Sequence, residues 1–160
     1  MRITMKKTCS FTGHRKIPPV LQESITRRLK ETITNCVKNG YSIFMAGGAL
    51  GFDTLAAEAV LRIRTNDPSI KLILALPCRT QTQNWKQSDI DRYEEIRKEA
   101  DDVIYVSDSY TKDCMFQRNR YLIDHSDLCI CYLTENKGGT FYTIQYAEKQ
   151  GKTVINLAEA

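Results

Sequence analysis

No P-loop GxxxxGK[ST] and no GxGxxG occurs anywhere in the 160 residues, so neither that triphosphate cradle nor the usual dinucleotide fingerprint is supported. No CxxC pair is present, and the only two histidines, His14 and His125, lie outside metal-finger spacing. Zinc modules are thereby set aside, and no metal site is expected. There is no Ser-His-Asp order, no cysteine beside a histidine and no evident pair of catalytic carboxylates, so no catalytic residue is nominated on this ground. Long hydrophobic runs are missing too. The longest, Leu72–Pro77, is far short of the ~20 residues that span a bilayer. Thr8–Arg15 contains nothing like the apolar centre of a signal peptide. The expectation is a soluble, cytoplasmic protein with no membrane partner.

What is present is ordinary in amount and informative in order. Hydrophobic residues make up 42% and charged residues 26%, which excludes disordered and collagen-like chains. The length suits one domain over 1–160, able to bury roughly two-thirds of its unfolded surface without disulfides or metal. Lys and Arg number 23 against 19 Asp and Glu, a surplus of +4 with no run of like charge. The corresponding pI near 8.7 is below the value above ~9 of a nucleic-acid footprint. Anionic ligands are welcome, whereas nucleic acid is not indicated as a partner. Of the six cysteines, most sit inside apolar runs and read as reduced, buried thiols.

Hydrophobic period and punctuation give a regular alternation of strands and helices. Strands are predicted at 7–11, 41–46, 71–76, 103–106, 128–133 and 153–157. A helix after Pro18-Pro19 carries Leu21, Ile25, Leu29, Ile33 and Val37 at near-helical spacing and closes at Asn39-Gly40. Further helices carry Leu55, Ala59 and Val60 and span 88–100, 114–124 and 143–150. Short apolar strands alternating with helices predict an α/β fold: a Rossmann-like, doubly wound, mostly parallel sheet with helices on both faces. Ligands of such sheets bind at the carboxyl ends of the strands near the switch point.

The loops at that edge hold the polar chemistry. Gly47, Gly48 and Gly51 fall between a strand and a helix, where the backbone can approach a ligand and free N–H groups attract phosphate. Asp53 suits either a helix N-cap or a ligand contact. Thr12-Gly13-His14-Arg15 follows the first strand, and Arg15 can present a planar fork to phosphate. Lys137-Gly138-Gly139-Thr140 is a second glycine turn between strand and helix. Arg118 and Asn119 lie in a helix whose solvated face suits Arg120 better. Phe141, Tyr142 and Tyr146 can stack on a base or pack in the core.

Together these segments resemble the SLOG superfamily, which contains the DNA-processing protein DprA and the LOG phosphoribohydrolases, and most closely its YpsA-like branch. Ala46–Asp53 is similar to the DprA segment SGxAxGID, and Arg118-Asn119-Arg120 with Ser126 to its RNR…S stretch. Gly139, Thr143, Ala147 and Gly151 match SGxLxTAxxAxxxG. Two departures stand out. Ala57 occupies the place of a DprA histidine, and Gln145 that of the catalytic glutamate in the LOG motif PGGxGTxxE. A neutral amide cannot act as a general base, which weakens the hydrolase reading.

The resemblance implies a bacterial or phage-type binder of a nucleotide or nucleotide derivative, such as an ADP-ribose- or NAD-related ligand, acting as sensor or regulator rather than efficient enzyme. On this reading Gly47, Gly48 and Gly51 give backbone contacts, and Gly138, Gly139 and Thr140 a second anion contact. Arg15 and Arg118 neutralise phosphate, Thr12 and Asp53 bond a ribose, and Gly13, His14 and Asn119 complete the site. The alternatives are a LOG-like N-glycosidic hydrolase using Arg118 and a DprA-like single-stranded DNA binder. A homodimer is the expected assembly, by analogy with relatives.

Overall fold

The computed structural model describes residues 6–158; residues 1–5 and 159–160, the ends of the expected domain range, lie outside them. Six strands form one parallel sheet: β1 (Lys7–Gly13), β2 (Tyr41–Ala46), β3 (Lys71–Leu76), β4 (Asp102–Tyr105), β5 (Leu128–Tyr132) and β6 (Thr153–Asn156). Their order across the sheet is β4-β3-β2-β1-β5-β6, and every neighbouring pair is parallel. Five helices connect them: α1 (Pro19–Lys38), α2 (Phe52–Asn66), α3 (Gln87–Glu99), α4 (Cys114–Asp124) and α5 (Gly139–Lys149). The expected fold is thus present, with a sheet that is parallel throughout. No helix among the described residues is long and apolar enough to cross a membrane.

Alternation along the strands divides the core in two. Cys9, Phe11, Phe44, Leu72, Leu74 and Ile130 pack with Ile25, Leu29 and Ile33 of α1, Leu55 and Val60 of α2, and Tyr93 and Ile96 of α3. On the other face, Cys129 and Cys131 meet Ile123 of α4 and Ile144 and Ala147 of α5, while Met45 and Ala75 meet Leu122. All six cysteines are buried, and none is in a disulfide. The chain builds outward from β1 to β4, then α4 carries it back to the other side of β1. That return creates the switch point between β1 and β5.

Buried polar groups fix the return. The hydroxyls of Ser10 in β1 and Ser126 after α4 lie 2.9 Å apart, and Ser126 also donates to the Leu122 carbonyl at 2.7 Å. Asp127 accepts from the Thr8 N–H at 2.9 Å and donates its own N–H to the Thr8 carbonyl at 2.8 Å. These bonds pin the C-terminal end of α4 to the central strand, and so set where its N-terminal half lies at the opposite sheet edge.

Most predicted boundaries agree within a residue or two, but α5 begins at Gly139 rather than Thr143. Gly138, at φ +92°, caps it, so the second glycine turn is itself the helix start. Asp53 is not an N-cap: Gly51 holds that place, and α2 has no side-chain cap bond. Gly51, at φ +77°, lies where a Cβ would overlap the Arg15 and His14 carbonyls, and the Phe52 N–H donates to His14 O at 3.1 Å. The glycine lets the β1–α1 loop dock on the start of α2.

Two substitutions separate close approach from backbone strain. Gly151, at φ +73°, has open space around its would-be Cβ, so Gly151→Ala costs only the left-handed conformation, about 1 kcal/mol. Gly51→Ala adds steric overlap with backbone, and a loss of at least ~3 kcal/mol is expected. Urea unfolding of both variants checks this; equal losses would contradict the docking role of Gly51.

Candidate functional site at the switch point

A cleft of about 370 Å³ opens at the carboxyl edge between β1 and β5. The end of β1 supplies Thr12 and Gly13 and the loop after it His14 and Arg15; α4 supplies Arg118 and Asn119; the α5 start supplies Gly138, Gly139 and Thr140. Asp53 reaches it from the first turn of α2. Segments from distant parts of the chain therefore meet where the sequence places the site. Gly47, Gly48 and Gly51 do not line it, and each is needed for packing behind it.

Two charged residues form the floor, Asp53 at 5% exposure and Arg118 at 4%. Arg118 donates from Nη1 to the Gly47 carbonyl oxygen and from Nε to Asn119 Oδ1 at 2.9 Å. The Ala49 N–H donates to Asp53 Oδ2 at 3.2 Å. A Cβ on Gly47 would stand 2.8 Å from Arg118 Nη1 and 2.9 Å from Asp53 Oδ2. Glycine at 47 is thus the space in which the two charged groups face each other. Gly48, at φ +72°, turns the chain where a Cβ would overlap Leu76.

Asp53 Oδ1 is buried without a hydrogen-bond partner. Burial pushes the Asp53 carboxyl up to about 6, against the opposing pull of Arg118, the Ala49 N–H and Arg15. Burial also lowers the pKa of Arg118, opposed chiefly by the charge of Asp53. The floor of the cleft therefore holds a cation beside a carboxyl that can exchange a proton near neutral pH.

The walls are more exposed and carry Arg15 and Lys137 against Glu135. His14 acts as a strut: its Nε2 accepts from the Thr134 N–H at 2.9 Å, and its ring meets Tyr132 edge-on. Arg15 lies against Met115, with Nη2 3.8 Å from Sδ. Across from it, the first turn of α5 presents free backbone N–H groups at its positive end. Thr143 Oγ1 donates back to Gly139 O at 2.8 Å and holds that turn. Sequence reasoning missed Glu135, Met115 and Phe116 as cleft residues and placed Lys137 in the second glycine turn without giving it a contact. Their adjacency to the nominated turns and to Arg118 was the available signal. Gln145, at the LOG glutamate position, is exposed on α5 beside Tyr142 and Glu148, outside this cleft.

Fold and cleft define a class, the doubly wound parallel α/β proteins with a ligand-sized site at the switch point. Within it, the fold is similar to DNA processing protein A from Helicobacter pylori, described for its unique single-stranded DNA binding mode, with TM-score 0.64 and 22% identity. That likeness covers 92% of this chain and 63% of the other. DprA from Streptococcus pneumoniae gives TM-score 0.66 at 16% identity, covering 93% and 49%. The chain thus spans under two-thirds of the first protein and about half of the second.

More specifically, the chain belongs to the YpsA family, whose model, described as YspA SLOG family, matches residues 14–157. A UPF0398 protein of Bacillus cereus (strain G9842) is 30% identical over 131 residues, 80% of this chain and 71% of that protein. One of Bacillus thuringiensis (strain Al Hakam) is 30% identical over 133 residues, covering 81% and 72%.

The raised Asp53 pKa gives a stability prediction. The unfolded carboxyl loses its proton near 3.8 and the folded one near 6. Asp53 therefore contributes most stability below pH 3.8 and loses that contribution as pH rises through 6. Between pH 4 and 7 the wild type should lose about 2–3 kcal/mol relative to Asp53→Asn, which has no proton to lose. Urea midpoints across that range measure the gap, and a gap independent of pH would refute the assignment.

Proposed function

We propose that the cleft binds a small phosphorylated ligand, a nucleotide or nucleotide derivative such as an ADP-ribose- or NAD-related molecule, and that the protein serves as a cytoplasmic sensor or regulator. One observation carries this reading: the free N–H groups at the start of α5 face a cleft that also holds Arg15, Lys137 and the buried Arg118. Backbone N–H groups and the helix dipole suit phosphate, and arginine suits its oxygens. On this reading Thr12 and Asp53, both lining the cleft, bond a ribose. The family itself does not fix the ligand.

Thermal-shift measurements with nucleotides test the proposal. A ligand at a hundredfold its Kd should stabilise by about 2.7 kcal/mol, roughly 5–10 °C for a chain this long. Arg15→Ala and Lys137→Ala should each weaken binding by roughly tenfold. Absence of a shift with every phosphorylated compound would end this reading.

A second reading, N-glycosidic hydrolysis, is favoured by Asp53, a buried carboxyl in the cleft whose Oδ1 is unbonded and whose pKa is about 6. Water would add across the bond between sugar C1 and the base, releasing free base and sugar phosphate. Asp53 would take the proton from water or face the developing oxocarbenium charge. Incubation with nucleoside monophosphates should then release base, and Asp53→Asn should reduce the rate by at least ~100-fold. Unchanged release in that variant would remove Asp53 from the chemistry. Single-stranded DNA, bound by the Helicobacter protein, is the third reading; its mark would be binding that falls steeply with salt.

A further inference from the structure

Six large apolar side chains are exposed among the described residues, and two of them touch each other beside the cleft. Phe116 of α4 is 42% exposed and Tyr142 of α5 37%. Their rings meet edge to face, with centroids 5.2 Å apart and planes at 76°. Phe116 lines the same cleft as Lys137, Gly138 and Gly139. Exposed apolar rings cost free energy unless something covers them, and a contiguous pair at the mouth of a cationic cleft points to a ligand with both a charged and a flat apolar part.

The pair is also held in place. Arg120 Nη2 donates to the Tyr142 hydroxyl at 2.5 Å, and its guanidinium lies 5.9 Å from the Tyr142 ring centroid and 5.8 Å from that of Tyr146. The Tyr146 hydroxyl donates to Asp124 Oδ1 at 2.7 Å. Packing between α4 and α5 therefore orients Tyr142, and Tyr142 braces Phe116. A perpendicular pair leaves ring faces uncovered, and such a face accepts a nucleobase by stacking.

We propose that Phe116, backed by Tyr142, is the base-stacking face of this site, taking the ring of a nucleoside monophosphate unit whose phosphate lies at Gly138–Thr140. The proposal rests on the phosphorylated-ligand reading above and names which part of the ligand goes where. It also favours one nucleotide over a strand. Strand binders stack successive bases on successive aromatics along a groove, whereas Phe116 and Tyr142 pack on each other and form one station. Tyr110, another exposed ring, lines a neighbouring pocket with Thr80 and Asn84 that meets the cleft at Met115, and it makes no ring contact with Phe116 or Tyr142. Recognition by stacking reads ring area, so purines should bind more tightly than pyrimidines.

Calorimetric titration of the full chain with adenosine 5′-monophosphate, ribose 5-phosphate and inorganic phosphate tests this. The wild type should bind the nucleotide roughly tenfold or more tightly than ribose 5-phosphate. Phe116→Ala should weaken the nucleotide by roughly 5- to 100-fold and leave ribose 5-phosphate within about twofold. Phe116→Leu, which keeps bulk but not the π face, should fall between. Unfolding midpoints of both variants confirm that the fold is intact. Equal wild-type affinity for nucleotide and ribose 5-phosphate, or equal losses of both in Phe116→Ala, overturns the stacking face while leaving the phosphate site standing. Failure of all three compounds to bind the wild type overturns the phosphate site, and the stacking face with it. Tighter, steeply salt-dependent binding of an oligothymidylate of about 12 nucleotides overturns the single-nucleotide assignment in favour of a strand.

Discussion

A guanidinium group that is almost wholly removed from water must be solvated by the protein, and the site is organised around meeting that requirement for Arg118. Its partners come from three parts of the chain: the Gly47 carbonyl after β2, Asn119 beside it on α4, and the carboxyl of Asp53 on α2. Each partner constrains something else. Position 47 must lack a side chain, because a Cβ there would crowd both charged groups. The α4 helix must cross the sheet at one register, which the Ser10–Ser126 hydrogen bond fixes at its other end. That register in turn delivers Asn119, Met115 and Phe116 to the cleft. Breaking one member of such a group leaves an uncompensated buried charge, so these residues behave as a unit.

The same requirement explains why Asp53 keeps its raised pKa. A carboxyl paired directly with arginine would be held below its usual range, yet here burial outweighs the pull of Arg118. No ion pair within 4 Å joins the two among the described residues, and Asp53 Oδ1 remains unbonded. Such an arrangement lowers stability at neutral pH and is the kind of local cost that functional sites carry. It also changes the meaning of Gln145. On sequence grounds the missing glutamate weakened hydrolysis, but in the fold that position faces away from the cleft. The carboxyls that do line it are Asp53 and Glu135.

The fold was legible because buried parallel strands write continuous apolar runs and their helices write a near-helical period. Strand β3 and helix α4 were bounded to the residue on that basis. The α5 boundary was missed because glycine is a poor helix former, and only the φ of +92° at Gly138 turns the segment into a cap followed by helix. Most cleft residues were legible from their position at strand carboxyl ends. Gly47, Gly48 and Gly51 stand out in the sequence as ligand contacts, but glycine marks close approach without saying of what, and none of the three lines the cleft. At 47 the neighbours are the Asp53 and Arg118 side chains; at 51 they are backbone carbonyls. Phe116, Met115 and Glu135 offer only their adjacency to Arg118 and to the second glycine turn, because no local pattern says which exposed side chains a crossover brings together.

The cleft gathers three of the chain's cations, Arg15, Arg118 and Lys137, against two carboxyls, Asp53 and Glu135. Several arginines are already committed to carboxylates: Arg64 to Glu99 and Asp101, Arg92 to Glu58, Arg97 to Glu94. Arg118 is buried, and Arg120 is bonded to Tyr142. What remains at the cleft is Arg15, Lys137 and the positive end of α5, with Glu135 as the exposed carboxyl among them, around a few hundred cubic ångströms. A charge distribution of this kind suits one or two phosphates held in a pocket, whereas a strand needs a groove that tracks a backbone. Positive charge, free N–H groups and an aromatic edge thus meet at one switch point because α4 and α5 both reach it: one by returning across the sheet, the other by starting there.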